Sequence, residues 1–138
     1  SKWRRPSPET IPCDTKAAGL YMICTLSKHD AEKNGYADSL MLDFEGYVAE
    51  ATGANVFFIK DNEIHTPSPD CFLDGITRRT VIELAKMRGL SIVERKILYF
   101  GLFFLIRFAS KRSASASVLV IVNSIDLVSE IIFFILYV

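Results

Sequence analysis

The spacing of apolar and polar positions changes several times along the chain. Residues 1–14 show no period; Pro6, Pro8 and Pro12 interrupt them and bias their neighbours toward extended backbone. They read as an extended lead-in. From residue 17 to residue 33 apolar positions recur at helical spacing, carried by Leu20, Met22, Ile23, Cys24 and Ala31. Lys28 and Lys33 suit the negative pole of that helix, and Asn34-Gly35 supplies its stop. The pattern then shortens to strand length. Residues 39–42, 47–51, 55–60 and 63–66 read as four strands. Asp43-Phe44-Glu45-Gly46 turns between the first two and Asp61-Asn62 between the last two, which predicts two hairpins. Pro67 and Pro69 cannot extend a ladder.

Gly75-Ile76-Thr77 then opens a second helix that reaches Met87. Val81, Leu84 and Ala85 form its apolar face, Ile82 and Met87 widen it, and Arg88-Gly89 closes it. Residues 90–96 read as one more strand. Helix, four strands, helix, strand, with no internal repeat, predicts a mixed α/β (α+β) fold with helices packed on a curved sheet.

Composition changes this picture at one place. Residues 1–96 contain 40 apolar residues, an ordinary globular fraction, whereas residues 97–138 contain 29 in 42 positions and six of the ten phenylalanines. Residues 98–138 are therefore set apart as an apolar tail, divided by the small polar run at 110–117. Neither apolar run supplies the ~18 uninterrupted residues of a membrane-spanning helix. Asp126 and Glu130 would each oppose insertion by about 2–3 kcal/mol. A membrane anchor is the weaker reading of this tail; a buried core segment or a stretch translated out of frame are the others.

Charge adds little. Sixteen basic and sixteen acidic side chains balance, with no basic stripe of the kind that binds nucleic acid. The lead-in lacks the apolar run of a signal peptide. Cys13, Cys24 and Cys71 are odd in number and lack metal-ligand spacing, so they read as reduced thiols of a cytoplasmic protein. His29 and His65 read as surface residues, and no metal site is expected.

The remaining candidates each admit a plain reading. Glu50 sits between Ala49 and Ala51 near a strand end, where a buried carboxylate needs a partner, or it faces outward. Gly75-Ile76-Thr77 presents the free N–H groups of a helix start to an anion, or Thr77 merely caps the helix. Lys16 taken alone is a surface lysine, and Tyr21 a core aromatic.

Three blocks in order tip these choices. Thr15-Lys16-Ala17-Ala18-Gly19-Leu20-Tyr21, then Tyr47-Val48-Ala49-Glu50-Ala51-Thr52-Gly53-Ala54-Asn55-Val56-Phe57-Phe58, then Asp74-Gly75-Ile76-Thr77-Arg78 resemble the branched-chain-amino-acid aminotransferases. These belong to the class IV, fold-type IV family dependent on pyridoxal phosphate. The resemblance runs from about Trp3 to Ile97.

It implies a partial copy of that family's large, cofactor-binding domain over residues 15–97. It also implies pyridoxal 5'-phosphate as cofactor, with an amino acid and a 2-oxo acid as small-molecule partners and a homo-oligomer for the intact protein. By the same resemblance Lys16 is the Schiff-base lysine and the catalytic residue. Tyr21 reaches the phenolic oxygen, Glu50 faces the ring nitrogen, and Ile76 and Thr77 cradle the phosphate. Such a carboxylate keeps the ring nitrogen protonated, so that the ring can accept electrons. A helix start beside Lys16, and enclosure, would favour its neutral amine. Asn55 is expected to brace the loop around Glu50.

Two departures stand against the family pattern. Its members are roughly twice this length, and their N-terminal half supplies a phosphate-binding arginine and part of the substrate pocket. The family's Gly-Thr-Ala-Ala-Glu loop should fall near residues 101–106, which read Gly-Leu-Phe-Phe-Leu-Ile here. The resemblance therefore implies transamination of leucine, isoleucine or valine with 2-oxoglutarate for the parent enzyme, and impaired or absent activity for this chain. The alternatives are a non-catalytic remnant, another class IV activity (D-amino-acid transamination or aminodeoxychorismate lysis), or a membrane-anchored interaction protein.

Overall fold

The computed structural model describes residues 1–60 and 62–99, together with the backbone of Val118–Val122. The tail set apart by composition otherwise lies outside the described residues.

The order of elements is β1 (Arg4–Arg5), a 3₁₀ turn (Ala18–Leu20), α1 (Met22–Lys33), β2 (Leu40–Asp43), β3 (Val48–Ala51), β4 (Asn55–Lys60), β5 (Glu63–Pro67), α2 (Ile76–Met87), β6 (Ile92–Arg95) and β7 (Val118–Val122). Both predicted hairpins are present and antiparallel. Gly46, at φ 98°, turns the first in the left-handed region that glycine adopts without steric penalty. Asn62, at φ 63°, sits in the same region beside the second turn; asparagine tolerates that conformation better than most residues.

The single curved sheet expected from the pattern is two sheets. The first has the order β1-β2-β3 and the second β6-β5-β4-β7. The chain passes from one to the other at residues 52–54, where Ala51 N–H donates to Ala54 C=O at 2.8 Å. Strand alternation specifies which face a side chain takes but not which sheet the strand joins, so this corner was not legible.

Strand β4 lies between two apolar clusters and contributes to both. Phe57 packs with Ile64 of β5 and with Val81, Ile82 and Ala85 of α2. Val56 and Phe58 point the other way, into a cluster with Val48, Ala51, Ala54 and Ile97. That double burial explains the unbroken Val-Phe-Phe-Ile run. Ile97, the residue just before the apolar tail, is in the core. β7 pairs antiparallel with the remaining edge of β4, with Val56 opposite Ile121 and Phe58 opposite Leu119.

Several expectations are corrected. The lead-in is not wholly extended polar chain, because Arg5 is buried and Arg4–Arg5 pair in parallel with β2. The first helix starts later than predicted. Ala17 is extended (φ −81°, ψ 135°), and the 3₁₀ turn over Ala18–Leu20, which contains the poor helix former Gly19, precedes α1. β5 runs through Pro67, opposite Arg95 at the end of a parallel ladder, where the missing N–H is tolerated and Ser68 N–H donates to Arg95 C=O instead. His65 is buried rather than on the surface, because β5 is flanked by β4 and β6. Met22 and Met87, both assigned to apolar helix faces, are exposed.

Candidate active site

One cleft of about 770 Å³ opens where the two sheets and the start of α2 meet. Its lining includes Lys16, Tyr21, Glu50, Ile76 and Thr77, so the structure brings together all five residues singled out from the sequence. They come from four separate places: the segment before the 3₁₀ turn, the start of α1, strand β3 and the first turn of α2. A smaller cavity of about 310 Å³ adjoins the cleft and shares Tyr21, Thr52, Gly53 and Ala54 with it.

Glu50 projects from β3 opposite Met41 of β2. Its side chain is only 13% exposed, and its Oε1 lies 3.3 Å from Nε of Arg5. Burial pushes its carboxyl up to about 7, against the pull of the Arg5 guanidinium. Among the described residues no N–H or O–H donates to the Glu50 carboxylate; the Arg5 Nε–H goes to Cys71 C=O at 3.3 Å. A nearly enclosed carboxylate therefore keeps its acceptor oxygens available on the cleft side.

The loop after Glu50 is held by Asp38, not by Asn55 as expected. Asp38 Oδ1 accepts hydrogen bonds from the Ser39 N–H and from both the N–H and the hydroxyl of Thr52. Asn55 instead braces the other wall of the cleft. Its Nδ2 donates to Leu73 C=O at 3.3 Å, and its Oδ1 would stand 2.6 Å from a Cβ on Gly75. Asn55 opens β4, so its side chain reaches the 73–75 segment and not the Glu50 loop.

Gly75 is the N-cap of α2, and among the described residues no side chain caps this helix. Its first helical backbone bond runs from Arg79 N–H to Gly75 C=O, so the amides of the opening turn have no partner within the helix. Ile76 is 68% exposed, which leaves its backbone N–H as the group relevant to a bound anion. Thr77 lies inside the first turn and is not the cap. Replacing Gly75 with alanine is expected to cost about 1–2 kcal/mol by forcing Asn55 off its bond to Leu73. The further change Asn55→Ser should recover part of that cost, and urea denaturation of the two single variants and the double variant measures the coupling.

Lys16 is exposed and lies at the cleft rim. The helix start expected beside it is a 3₁₀ turn, and the described residues do not enclose its amine. Tyr21 is 36% exposed and sits between the 3₁₀ turn and α1. Arg5 is the cleft residue beside Glu50 that the sequence did not disclose. Its only local signal is a position inside the resembling segment, and arginine in a charged, proline-rich lead-in reads as solvated.

The fold is that of the class IV aminotransferases, and the comparisons with known proteins agree. The amino-transferase class IV family model matches residues 1–129, and the chain belongs to this family. Among its relatives is a probable branched-chain-amino-acid aminotransferase of Rickettsia bellii, 48% identical over 97 residues, which are 70% of this chain and 34% of the relative. The branched-chain-amino-acid aminotransferase of Escherichia coli K12 is 40% identical over 96 residues, 69% of this chain and 31% of the relative. The chain thus spans about a third of the length of the curated relatives it matches. The crystal structure of an aminotransferase from Brucella abortus bound to the cofactor PLP superposes with a TM-score of 0.71 at 36% identity, covering 75% of this chain and 37% of that one.

Proposed function

We propose that the cleft is the pyridoxal-phosphate site of a branched-chain-type aminotransferase and that this chain carries the cofactor-binding part of it. The single observation that carries the reading is the convergence of Lys16, Tyr21, Glu50, Ile76 and Thr77 on one cleft from four separate places in the chain. The residues present fit the group. An acceptor carboxylate without donors, an uncapped helix start and a primary amine line the same space. When bound, the cofactor supplies an aldehyde for the amine and an electron-accepting ring.

The protein's own groups divide the remaining work. Glu50 accepts a hydrogen bond from a protonated ring nitrogen, and the ion pair with Arg5 favours its charged form. The Ile76 and Thr77 amides, with the Thr77 hydroxyl, bind a phosphate dianion at the positive end of α2. The Tyr21 hydroxyl donates toward the phenolic oxygen from the wall shared with the smaller cavity. Lys16 supplies the amine and, when its nitrogen is free, moves a proton at the substrate carbon. The substrates are an amino acid of branched-chain type and a 2-oxo acid, and the setting is the cytoplasm, in line with three buried, unbridged thiols. Among the described residues no helix is long and apolar enough to cross a membrane.

Incubation with pyridoxal phosphate, borohydride reduction and peptide mapping by mass spectrometry test the reading. The reduced adduct is expected on the Lys16 peptide and should disappear in Lys16→Ala. An adduct scattered over other lysines, with none on Lys16, would reject it.

A further inference from the structure

We propose that Arg5 is the positioning residue of the ring-nitrogen site, biasing Glu50 toward its anion while leaving its oxygens unspent. This rests on the reading of Glu50 given above. Arg5 is 3% exposed, a position that a guanidinium occupies only when its charge and its N–H groups are provided for. Its hydrogen bonds go elsewhere than to Glu50. Nη1 donates to Leu20 C=O at 3.0 Å and to Cys24 Sγ at 3.5 Å, and Nε donates to Cys71 C=O at 3.3 Å. Two segments distant in sequence, the 3₁₀ turn with the start of α1 and the loop at Cys71, thus fix the plane of the fork. Glu50 Oε1 meets the positive charge at 3.3 Å without receiving the proton.

The consequence is electrostatic. A bidentate arginine–carboxylate pair would fill both carboxylate oxygens and leave little for a ligand. Here the charge is offered and the donor is withheld, so Glu50 is biased toward its anion yet remains an acceptor for an N–H entering the cleft. The other titratable groups near Glu50 among the described residues are the Cys24 thiol on α1 and, along the same cleft, Asp14, Lys16, Tyr21, Asp74 and Arg79. The Cys24 thiol is pushed up, first by burial, and stays neutral; Met41, opposite Glu50 on β2, is apolar. Arg5 is the cation in direct contact with the carboxylate.

The experiment has two arms on the full chain, using Arg5→Met and Arg5→Lys. The lysine variant retains the charge and guards against a methionine variant that does not fold; circular dichroism confirms the fold of each. In the first arm, carboxyl-carbon NMR of glutamate-labelled apoprotein follows Glu50, assigned by its loss in Glu50→Gln. The ionisation midpoint of Glu50 should rise in Arg5→Met and move less in Arg5→Lys. A midpoint unchanged in both variants overturns the proposal whatever the cofactor does.

The second arm compares binding of pyridoxal phosphate with that of its 1-deaza analogue, in which the ring nitrogen is a C–H. Glu50→Gln and Arg5→Met should each lower the preference for the nitrogen ring by about ten-fold. A preference lost in Glu50→Gln but kept in both Arg5 variants overturns the role of Arg5 and leaves the Glu50 reading standing. A preference unaffected by Glu50→Gln overturns that reading, and with it the cofactor role assigned to Arg5. A purely architectural arginine would weaken both ligands alike and leave their ratio unchanged.

Discussion

The cofactor-free protein is expected to lose about 3 kcal/mol of stability to Glu50 alone as the pH rises from 4.5 to 7. The sign follows from proton binding. In the unfolded chain this carboxyl ionises through its ordinary 4.5, whereas burial in the folded protein pushes it up to about 7. Between those values the folded state holds the extra proton, so raising the pH favours unfolding. At about 1.4 kcal/mol per pH unit the window amounts to about 3 kcal/mol, with a flat response on either side. Because the side chain is only 13% exposed, solvent screening does not erase the effect.

Urea denaturation of the wild type and Glu50→Gln at several pH values isolates it, since other titrations cancel in the difference. The glutamine variant should gain on the wild type progressively up to pH 7. A difference constant across that range would show that Glu50 is not desolvated. The same strain links stability to function. A site that destabilises its own carboxylate is relieved when a protonated ring nitrogen arrives, so ligand binding should flatten the pH dependence.

Much of this site could be read from the chain because its residues belong to local motifs. Gly75, with Ile76 and Thr77 after it, announces a helix start by composition, and Gly46 requires a turn. Glu50 is conspicuous between two alanines. These features depend on a few neighbours. The parts that escaped notice depend on partners distant in sequence. Arg5 is buried because Leu20, Cys24 and Cys71 converge on it. Asp38 shapes the Glu50 loop from 14 residues away, and Asn55 supports a segment 18 residues away. The division into two sheets at residues 52–54 is likewise a matter of packing, because both alternations around it are ordinary strand patterns. Exposure of Lys16 has the same origin, since enclosure is a property of the surroundings and not of the motif.

Replacing Arg78 with alanine is expected to cost about 3 kcal/mol of folding stability and to weaken phosphate recognition with it. Arg78 is 1% exposed and follows Thr77 in the first turn of α2. Its Nη2 donates to Pro67 C=O at 2.9 Å and to Glu94 Oε2 at 2.7 Å, and its Nη1 to Asp74 Oδ1 at 2.7 Å. One side chain therefore ties the start of α2 to the ends of β5 and β6 and to the loop that leads into the helix.

The cost is bounded on both sides. Alanine leaves a cavity and strands the Pro67 carbonyl. Asp74 and Glu94, however, are 37% and 43% exposed, so water can take over their charges and the full penalty of an orphaned buried ion does not arise. The Arg78 Nε–H, buried without a partner among the described residues, already offsets part of the gain in the wild type. Arg78→Lys keeps the charge and removes that unsatisfied donor but cannot reproduce the planar fork, so its loss should be smaller, about 1–2 kcal/mol. Denaturation midpoints rank the three proteins. The functional half of the prediction needs a second ratio. If Arg78 holds the α2 amides in place, Arg78→Ala should weaken pyridoxal phosphate more than pyridoxal, which lacks the phosphate. Equal weakening of both would mean that the first turn of α2 keeps its geometry without the arginine.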